Sequence, residues 1–305
     1  MLGLISLPNI FQLETTSFCN LKCVMCPHPL MVSSGIRQQQ HMDLDLFKTI
    51  LERDTANTHT LGLHILGEPL LHPDITQMVA LCKEHEIEPE FATNGTVMTH
   101  HLALGLIGAG LSKLWFSFDG GTAASYESIR IGANFDRVLA NVRLFLSVKA
   151  ETGSDIPVIV QMVLQPGLED DEAPFRELWQ DEPGVDKVAI KFLDSWAGTL
   201  FERDVPKPPI ARRPCAEPFA RVSVLTNGDV VPCCRDWSGA YVYGNLAQQS
   251  LEQIWAGEMA QSLRLEHMQN AYVSEPCLSC KEWHIPMNRD VTINPETSAP
   301  EWSGQ

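Results

Sequence analysis

The tightest constraint on this chain is the spacing of its cysteines. Cys19, Cys23 and Cys26 form a C-x3-C-x2-C triplet, and Cys215, Cys233, Cys277 and Cys280 form a spread set that ends in C-x2-C. Grouped cysteines are disulfide staples or metal ligands. Disulfides belong to oxidising compartments and mostly to small secreted domains. This sequence has 305 residues, enough to bury a large core or two domains. Met1 to Ile10 shows neither the basic start nor the small-residue cleavage site of a secretory signal. The chain is therefore expected in the cytoplasm with reduced thiols, and the two sets predict two metal centres, one in each part of the chain.

Two cysteines stand outside those sets. Cys82 follows the helical apolar pattern from Ile75 and reads as a buried, inert thiol. Cys234 adjoins Cys233, and strand neighbours point to opposite sides, so only one of the pair is expected to ligate. Charge narrows the partners. With 22 Lys and Arg against 38 Asp and Glu, the formal charge is −16. Nucleic acid binding needs clustered basic residues and is not expected. No apolar run reaches the roughly 18 residues of a membrane span.

From residue 10 to 192, short apolar runs alternate with amphipathic stretches. Strands are read at Ile10–Glu14, Leu61–Leu66, Glu90–Thr93, Lys113–Phe118, Val158–Leu164 and Val188–Phe192. Helices are read at Leu44–Arg53, Asp74–His85, Thr99–Gly108, Phe135–Thr152 and Ala173–Gln180. Such alternation predicts a parallel α/β fold. Six strands are too few for a closed eight-stranded barrel, so the expectation is a partial (β/α)6 TIM-like barrel, open on one side. The loops after its strands hold Cys19–Cys26, Gly67-Glu68-Pro69, Thr93-Asn94-Gly95 and Asp119-Gly120-Gly121. Ligands bind at the carboxyl ends of parallel strands, so four motifs converge on one face. Gly105, Gly108 and Gly110 have the wrong spacing for a dinucleotide loop and read as a helix C-terminal cap.

Residues 193–214 read as a linker. A hairpin follows, with Arg221–Leu225 and Val230–Pro232 flanking a two-residue Asn227-Gly228 turn. Helices are expected over Ser250–Trp255 and Glu258–Met268, and the polar tail from Val291 is expected to fray.

Three thiolates within eight residues can hold three corners of an iron–sulfur cube and leave one iron open. An open coordination position suits catalysis better than electron carriage. The competing reading is zinc with a distant fourth ligand such as His28. The second set supplies four thiolates, a fully ligated site. Tetrathiolate zinc and a redox-active Cys277–Cys280 dithiol compete there.

The triplet after the first strand, Gly67-Glu68-Pro69 after the second, and the alternating domain together resemble the radical S-adenosylmethionine (SAM) superfamily. One departure is Met25, where many members carry an aromatic residue; methionine keeps the position apolar. The resemblance implies a 4Fe-4S cluster on Cys19, Cys23 and Cys26 whose open iron chelates SAM. Electron transfer then yields a 5′-deoxyadenosyl radical that takes a hydrogen atom from substrate. Gly67 and Glu68 match the motif that receives the SAM ammonium group. Thr93 and Asn94 are candidates for the ribose or methionine end. Ser117 and Arg130 are candidates for the SAM carboxylate, against the plainer reading of Arg130 as an exposed residue in a helical stretch. A flavodoxin- or ferredoxin-type electron donor is also implied.

The C-terminal part resembles the SPASM/Twitch extension through its four cysteines, Gly244-Asn245-Leu246, Ser250-Leu251-x2-Ile254-Trp255 and Cys280-x2-Trp283. With no cysteine after Cys280, it is the shorter form with one auxiliary 4Fe-4S cluster. The implied architecture is a partial barrel over 1–192, a linker over 193–214, a small α+β SPASM/Twitch domain over 215–290 and a flexible tail over 291–305. The one-cluster form is similar to the aminocyclitol dehydrogenase type. That implies oxidation of a carbinol in a small molecule, with the auxiliary cluster taking an electron. Maturation of a ribosomally made peptide is the alternative; the 18 residues before Cys19 are expected to be too few for a peptide-recognition domain. A non-catalytic electron carrier is the third reading, opposed by the open-iron triplet and Glu68.

Overall fold

A computed structural model of the chain describes residues 7–200, 212–283, 291–293 and 300–302. In the first half β1 (Asn9–Leu13), α1 (His28–Ser34), α2 (Leu44–Asp54), β2 (Thr60–Gly62), α3 (Ile75–Glu84), β3 (Glu88–Thr93) and α4 (His100–Gly108) follow one another. Next come β4 (Lys113–Ser117), α5 (Ala123–Ile129), α6 (Phe135–Thr152), β5 (Val158–Val163), α7 (Glu172–Trp179) and β6 (Lys187–Lys191). Then α8 (Glu217–Ala220), β7 (Arg221–Val224), β8 (Asp229–Val231), β9 (Gly244–Asn245), α9 (Leu251–Trp255) and α10 (Glu258–Gln269) build the C-terminal part.

Local chemistry marks the helix ends. Asp43 accepts from the N–H groups of Asp45 and Leu46 at the start of α2, and Thr99 and Asn134 cap α4 and α6 in the same way. Gly153 ends α6 in the left-handed region, and Gly110, at φ +87°, follows α4 as the glycine-cap reading requires.

The strands lie in one sheet in the order β6-β5-β4-β3-β2-β1-β7-β8-β9. From β6 to β1 every neighbouring pair is parallel and the order never reverses. Successive crossovers of one hand therefore put the helices on one face. Phe91, Phe116 and Val160 pack there with Phe47, Phe145 and Trp179, all nearly fully buried. Each such side chain contributes about 1.5–3 kcal/mol. The intervening residues, among them Glu90, Ser117 and Gln161, face the other, concave side. The open parallel sheet is the partial barrel that the alternation predicts.

Several features depart from expectation. β2 stops at Gly62 instead of Leu66. The backbone beyond it turns so that Gly67 lies against the chain at Thr16, where a Cβ would sit 1.9 Å from the Thr16 carbonyl oxygen. Three helices, α1, α5 and α8, are absent from the sequence reading; they are short runs of seven, seven and four residues with weak apolar periodicity. The hairpin turn has three residues, not two. Gly228 N–H donates to Leu225 C=O and Leu225 N–H to Asp229 C=O, with Gly228 at φ +88° in the left-handed position such a loop needs.

The hairpin is joined to the barrel. β7 pairs in parallel with β1, from Asn9 opposite Arg221 to Leu13 opposite Val224, so the sheet runs unbroken from barrel to C-terminal part. The stretch read as the start of a linker is packed: Leu193, Ser195 and Ala197 are buried. In the tail, expected to fray, Val291–Ile293 and Pro300–Trp302 pair antiparallel. The rest of the 193–214 and 291–305 segments includes 201–211, 294–299 and 303–305, which lie outside the described residues, as does 284–290 of the C-terminal domain.

Candidate functional site

The cysteine triplet lies in the loop after β1 and is held by α5. Lys22 N–H donates to Ile131 C=O at 2.9 Å and Val24 N–H to Ile129 C=O at 3.0 Å. This extended pairing turns Leu21, Cys23 and Met25 inward and Lys22 and Val24 outward. Cys26 N–H then donates to Cys23 C=O at 3.2 Å, a turn that brings the third thiol back to the second. Leu21, Met25, Ile129 and Leu193 form the apolar wall. Burial pushes the Cys23 thiol up and the Cys19 and Cys26 thiols up to about 12. Three adjacent thiolates would repel in that setting; iron that shares their charge removes the conflict.

Between Ile129 and Ile131 stands Arg130, 9% exposed. It is a buried partner at the foot of α5, not an exposed helical arginine. Its Nε and Nη2 donate to Asp119 Oδ2 at 2.6 and 2.5 Å, and Asp119 Oδ1 accepts from Val163 N–H at 2.6 Å. Its charge also lowers the Cys23 thiol against burial. Ser117 lies on the concave face at the end of β4, and its hydroxyl accepts from Gln161 Nε2 at 2.9 Å. It is engaged with Gln161, not with Arg130.

Glu68 is 3% exposed and ties three elements together. Oε1 accepts from Thr93 Oγ1 at 2.6 Å and Leu70 N–H at 3.1 Å, and Oε2 accepts from Asn94 N–H at 2.6 Å. Burial raises its carboxyl while these donors lower it. Thr93 accepts in turn from Gly95 N–H at 3.0 Å. Asn94 Nδ2 donates to Asn20 Oδ1 at 3.1 Å and lies 4.0 Å from Cys19 Sγ. The structure thus joins Glu68, Thr93 and Asn94 to the cysteine loop as one network. Gly67, pressed against Thr16, fixes where that network begins.

The second set closes a separate cavity. Cys215, Cys233, Cys277 and Cys280 all line it, with Arg235 and His267. Cys234 faces the other way, against the cluster built on Met31, Leu66 and Trp237. Burial raises all four lining thiols, Cys280 to about 12. Arg235 is buried and pairs with Asp194 Oδ2 at 2.7 Å from both Nε and Nη2. Cys215 N–H donates to His267 Nδ1 at 3.1 Å. Among the described residues no three His, Cys, Asp or Glu side chains converge on a single-ion position. All-thiolate donor sets, three thiols at the first site and four at the second, have the chemistry that suits iron–sulfur clusters. No disulfide joins any of the nine cysteines.

Trp196 bridges the two sites. It follows β6 with φ +52°, donates from Nε1 to Met25 C=O at 3.1 Å, and precedes Ala197 in the wall of the second cavity. Reasoning from sequence assigned no role to Asp119, Trp196, Asp194, Arg235 or His267. Asp119 had a signal, its place after a strand in Asp-Gly-Gly; the others had none. Among the described residues no helix is long and apolar enough to cross a membrane.

Comparison with known proteins adds to this geometry. The family model of the radical SAM superfamily matches residues 13–178, and that of SPASM, an iron–sulfur cluster-binding domain, matches residues 215–281. The S-adenosyl-L-methionine-dependent 2-deoxy-scyllo-inosamine dehydrogenase of Niallia circulans is 22% identical over 84% of this chain and 85% of its own length. The mycofactocin maturase MftC of Mycobacterium tuberculosis is 29% identical over 50% of this chain and 38% of its own. The crystal structure of BtrN in complex with AdoMet and 2-DOIA superposes with a TM-score of 0.57 at 22% identity, covering 86% of this chain and 87% of that one. SuiB of Streptococcus suis bound to precursor peptide SuiA superposes at 0.67 and 13% identity, covering 90% and 70%. At these identities the superpositions speak for the fold.

Proposed function

The chain belongs to the radical SAM superfamily, and from that premise we propose that it oxidises a carbinol carbon in a small sugar-like or aminocyclitol-like molecule. It is a SAM-dependent iron–sulfur enzyme with a SPASM domain. When bound, the first cluster and SAM supply the 5′-deoxyadenosyl radical that removes a substrate hydrogen atom.

The chain's own residues hold and orient these groups. Cys19, Cys23 and Cys26 ligate the first cluster, and Cys215, Cys233, Cys277 and Cys280 the second. Gly67 and Glu68 receive the SAM ammonium, with the Glu68 carboxylate already fixed by Thr93 and Asn94. Thr93 and Asn94 stand at the ribose or methionine end. Arg130 is held by Asp119 for the SAM carboxylate, with Ser117 on the same side of the sheet.

Carbinol oxidation removes two electrons and two protons. The hydrogen atom carries one of each, the hydroxyl proton goes to solvent, and the second electron needs an acceptor. The observation that carries the reading is the cavity lined by four thiols, which gives such an acceptor a closed site beside the first. The similarity to the inosamine dehydrogenase points to the same reaction class. A flavodoxin- or ferredoxin-type donor supplies the first electron, and the cytoplasm, where thiols stay reduced, is the compartment that suits this chemistry.

Anaerobic reconstitution should load about eight irons per chain, two cubes of four. With reductant, SAM and a polyol or aminocyclitol panel, 5′-deoxyadenosine and a carbonyl product should form together. About four irons plus zinc, or product only from added peptides, would overturn the reading.

A further inference from the structure

A residue that lines the four-cysteine cavity has a buried polar atom without a partner among the described residues. His267 lies on α10, 1% exposed, and lines the cavity. Its Nδ1 accepts the Cys215 N–H at 3.1 Å, so the neutral ring carries its proton on Nε2. Nε2 is fully buried and has no hydrogen-bond partner among the described residues. A buried donor left unmade costs about 1–3 kcal/mol. Nothing in the packing relieves that cost by letting the ring turn. Tyr272 and Phe219 meet it edge-on at 5.0 and 6.3 Å, and any rotation gives up the Cys215 contact.

The cavity wall sharpens the point. Sulfur atoms of a cluster accept hydrogen bonds, normally from backbone N–H groups. Three of the lining residues, Pro218, Pro232 and Pro276, have no N–H to give. That reduces the backbone donors around the cavity and gives weight to side-chain donors.

We propose that His267 donates its Nε2–H to a sulfur of the auxiliary cluster, acting as a positioning and tuning residue for that cluster. One imidazole then serves two partners: it orders the Cys215 backbone through Nδ1 and stabilises charge on the cluster through Nε2. A hydrogen bond to sulfur favours the reduced, more negative cluster and raises its reduction potential. That is the direction an electron acceptor needs. The proposal rests on an iron–sulfur cluster in the second site and not on the identity of the substrate.

The test uses Cys23→Ala holoprotein, which leaves only the auxiliary cluster, labelled with 15N-histidine. His267 is the only histidine lining the cavity among the described residues. Pulsed EPR of the reduced cluster should show one histidine 15N coupling and an exchangeable proton. His267→Asn keeps an acceptor near Nδ1 and loses the far donor; it should retain iron, lose the coupling and lower the midpoint potential. His267→Gln, whose amide reaches the Nε2 position, should restore most of the potential. A fully iron-loaded parent protein without 15N coupling overturns the proposal, whatever the variants do. An unmoved potential in iron-loaded His267→Asn overturns it as well. A second site without iron would defeat the cluster assignment itself, and iron analysis separates that failure from the others.

Discussion

The two cysteine sites solve the same electrostatic problem with opposite chain architectures. The first takes three ligands from eight consecutive residues in one loop. The second gathers four from segments up to 65 positions apart, brought together by α8, the β7–β8 hairpin and the turn after α10. A short loop can wrap only part of a cluster, so one coordination position stays open. A cavity closed from several directions leaves none. Each site nevertheless places a buried arginine beside its thiols and anchors it on an aspartate, Arg130 on Asp119 and Arg235 on Asp194. On the proposed assignment ligand number separates catalysis from electron storage, while the buried arginine–aspartate pair is common to both.

The sharpest way to break that contrast is to remove one ligand from each site. Cys23→Ala should abolish 5′-deoxyadenosine formation and keep about four irons. Cys280→Ala should keep SAM cleavage and lose the oxidised product. If Cys280→Ala also loses SAM cleavage, or Cys23→Ala retains it, the division of labour is wrong.

The paired arginines come next. Arg130→Met leaves the Asp119 carboxylate buried and unpaired and should destabilise the fold by about 3–5 kcal/mol in denaturant titration. Arg235→Met should cost less, because Asp194 is 31% exposed and can recruit water. Equal losses would remove the distinction in burial.

A smaller effect is expected at Glu68. Glu68→Gln preserves shape but turns one acceptor into a donor facing Thr93 or Asn94, costing about 1–3 kcal/mol. The loss should appear as a raised KM for SAM with auxiliary iron unchanged. Smallest of all, Cys234→Ala should leave iron at both sites intact and cost at most about 2 kcal/mol in packing. Loss of auxiliary iron in that variant would exchange the roles of Cys233 and Cys234.

Legibility followed contact range. The strand–helix alternation was readable because amphipathic periodicity is local, and α6 lies over Phe135–Thr152 as the pattern predicts. The glycine cap after α4 was readable for the same reason. The hairpin was readable as a hairpin, but its turn type was not, because Asn227-Gly228 satisfies both a two-residue loop and a three-residue one. Gly67 was legible as part of a motif; the reason it must be glycine, the Thr16 backbone pressed against it, was not. Arg130 was identified with even weight as a ligand or a surface residue. Its burial depends on Asp119, eleven positions away and on another element.

By itself the sequence determined the chemistry available: three local thiols, four distant ones, and strands alternating with helical stretches. Those properties depend on residue type and on spacings shorter than an element. The tertiary structure decided which groups meet. It placed β7 on β1 and so made one sheet of two parts. It turned Cys233 into the cavity and Cys234 away from it. It set Trp196 between the sites and left one nitrogen of the cavity-lining His267 buried without a partner among the described residues. These pairings follow from sheet register and helix packing, which bring together residues dozens of positions apart. No local pattern encodes them.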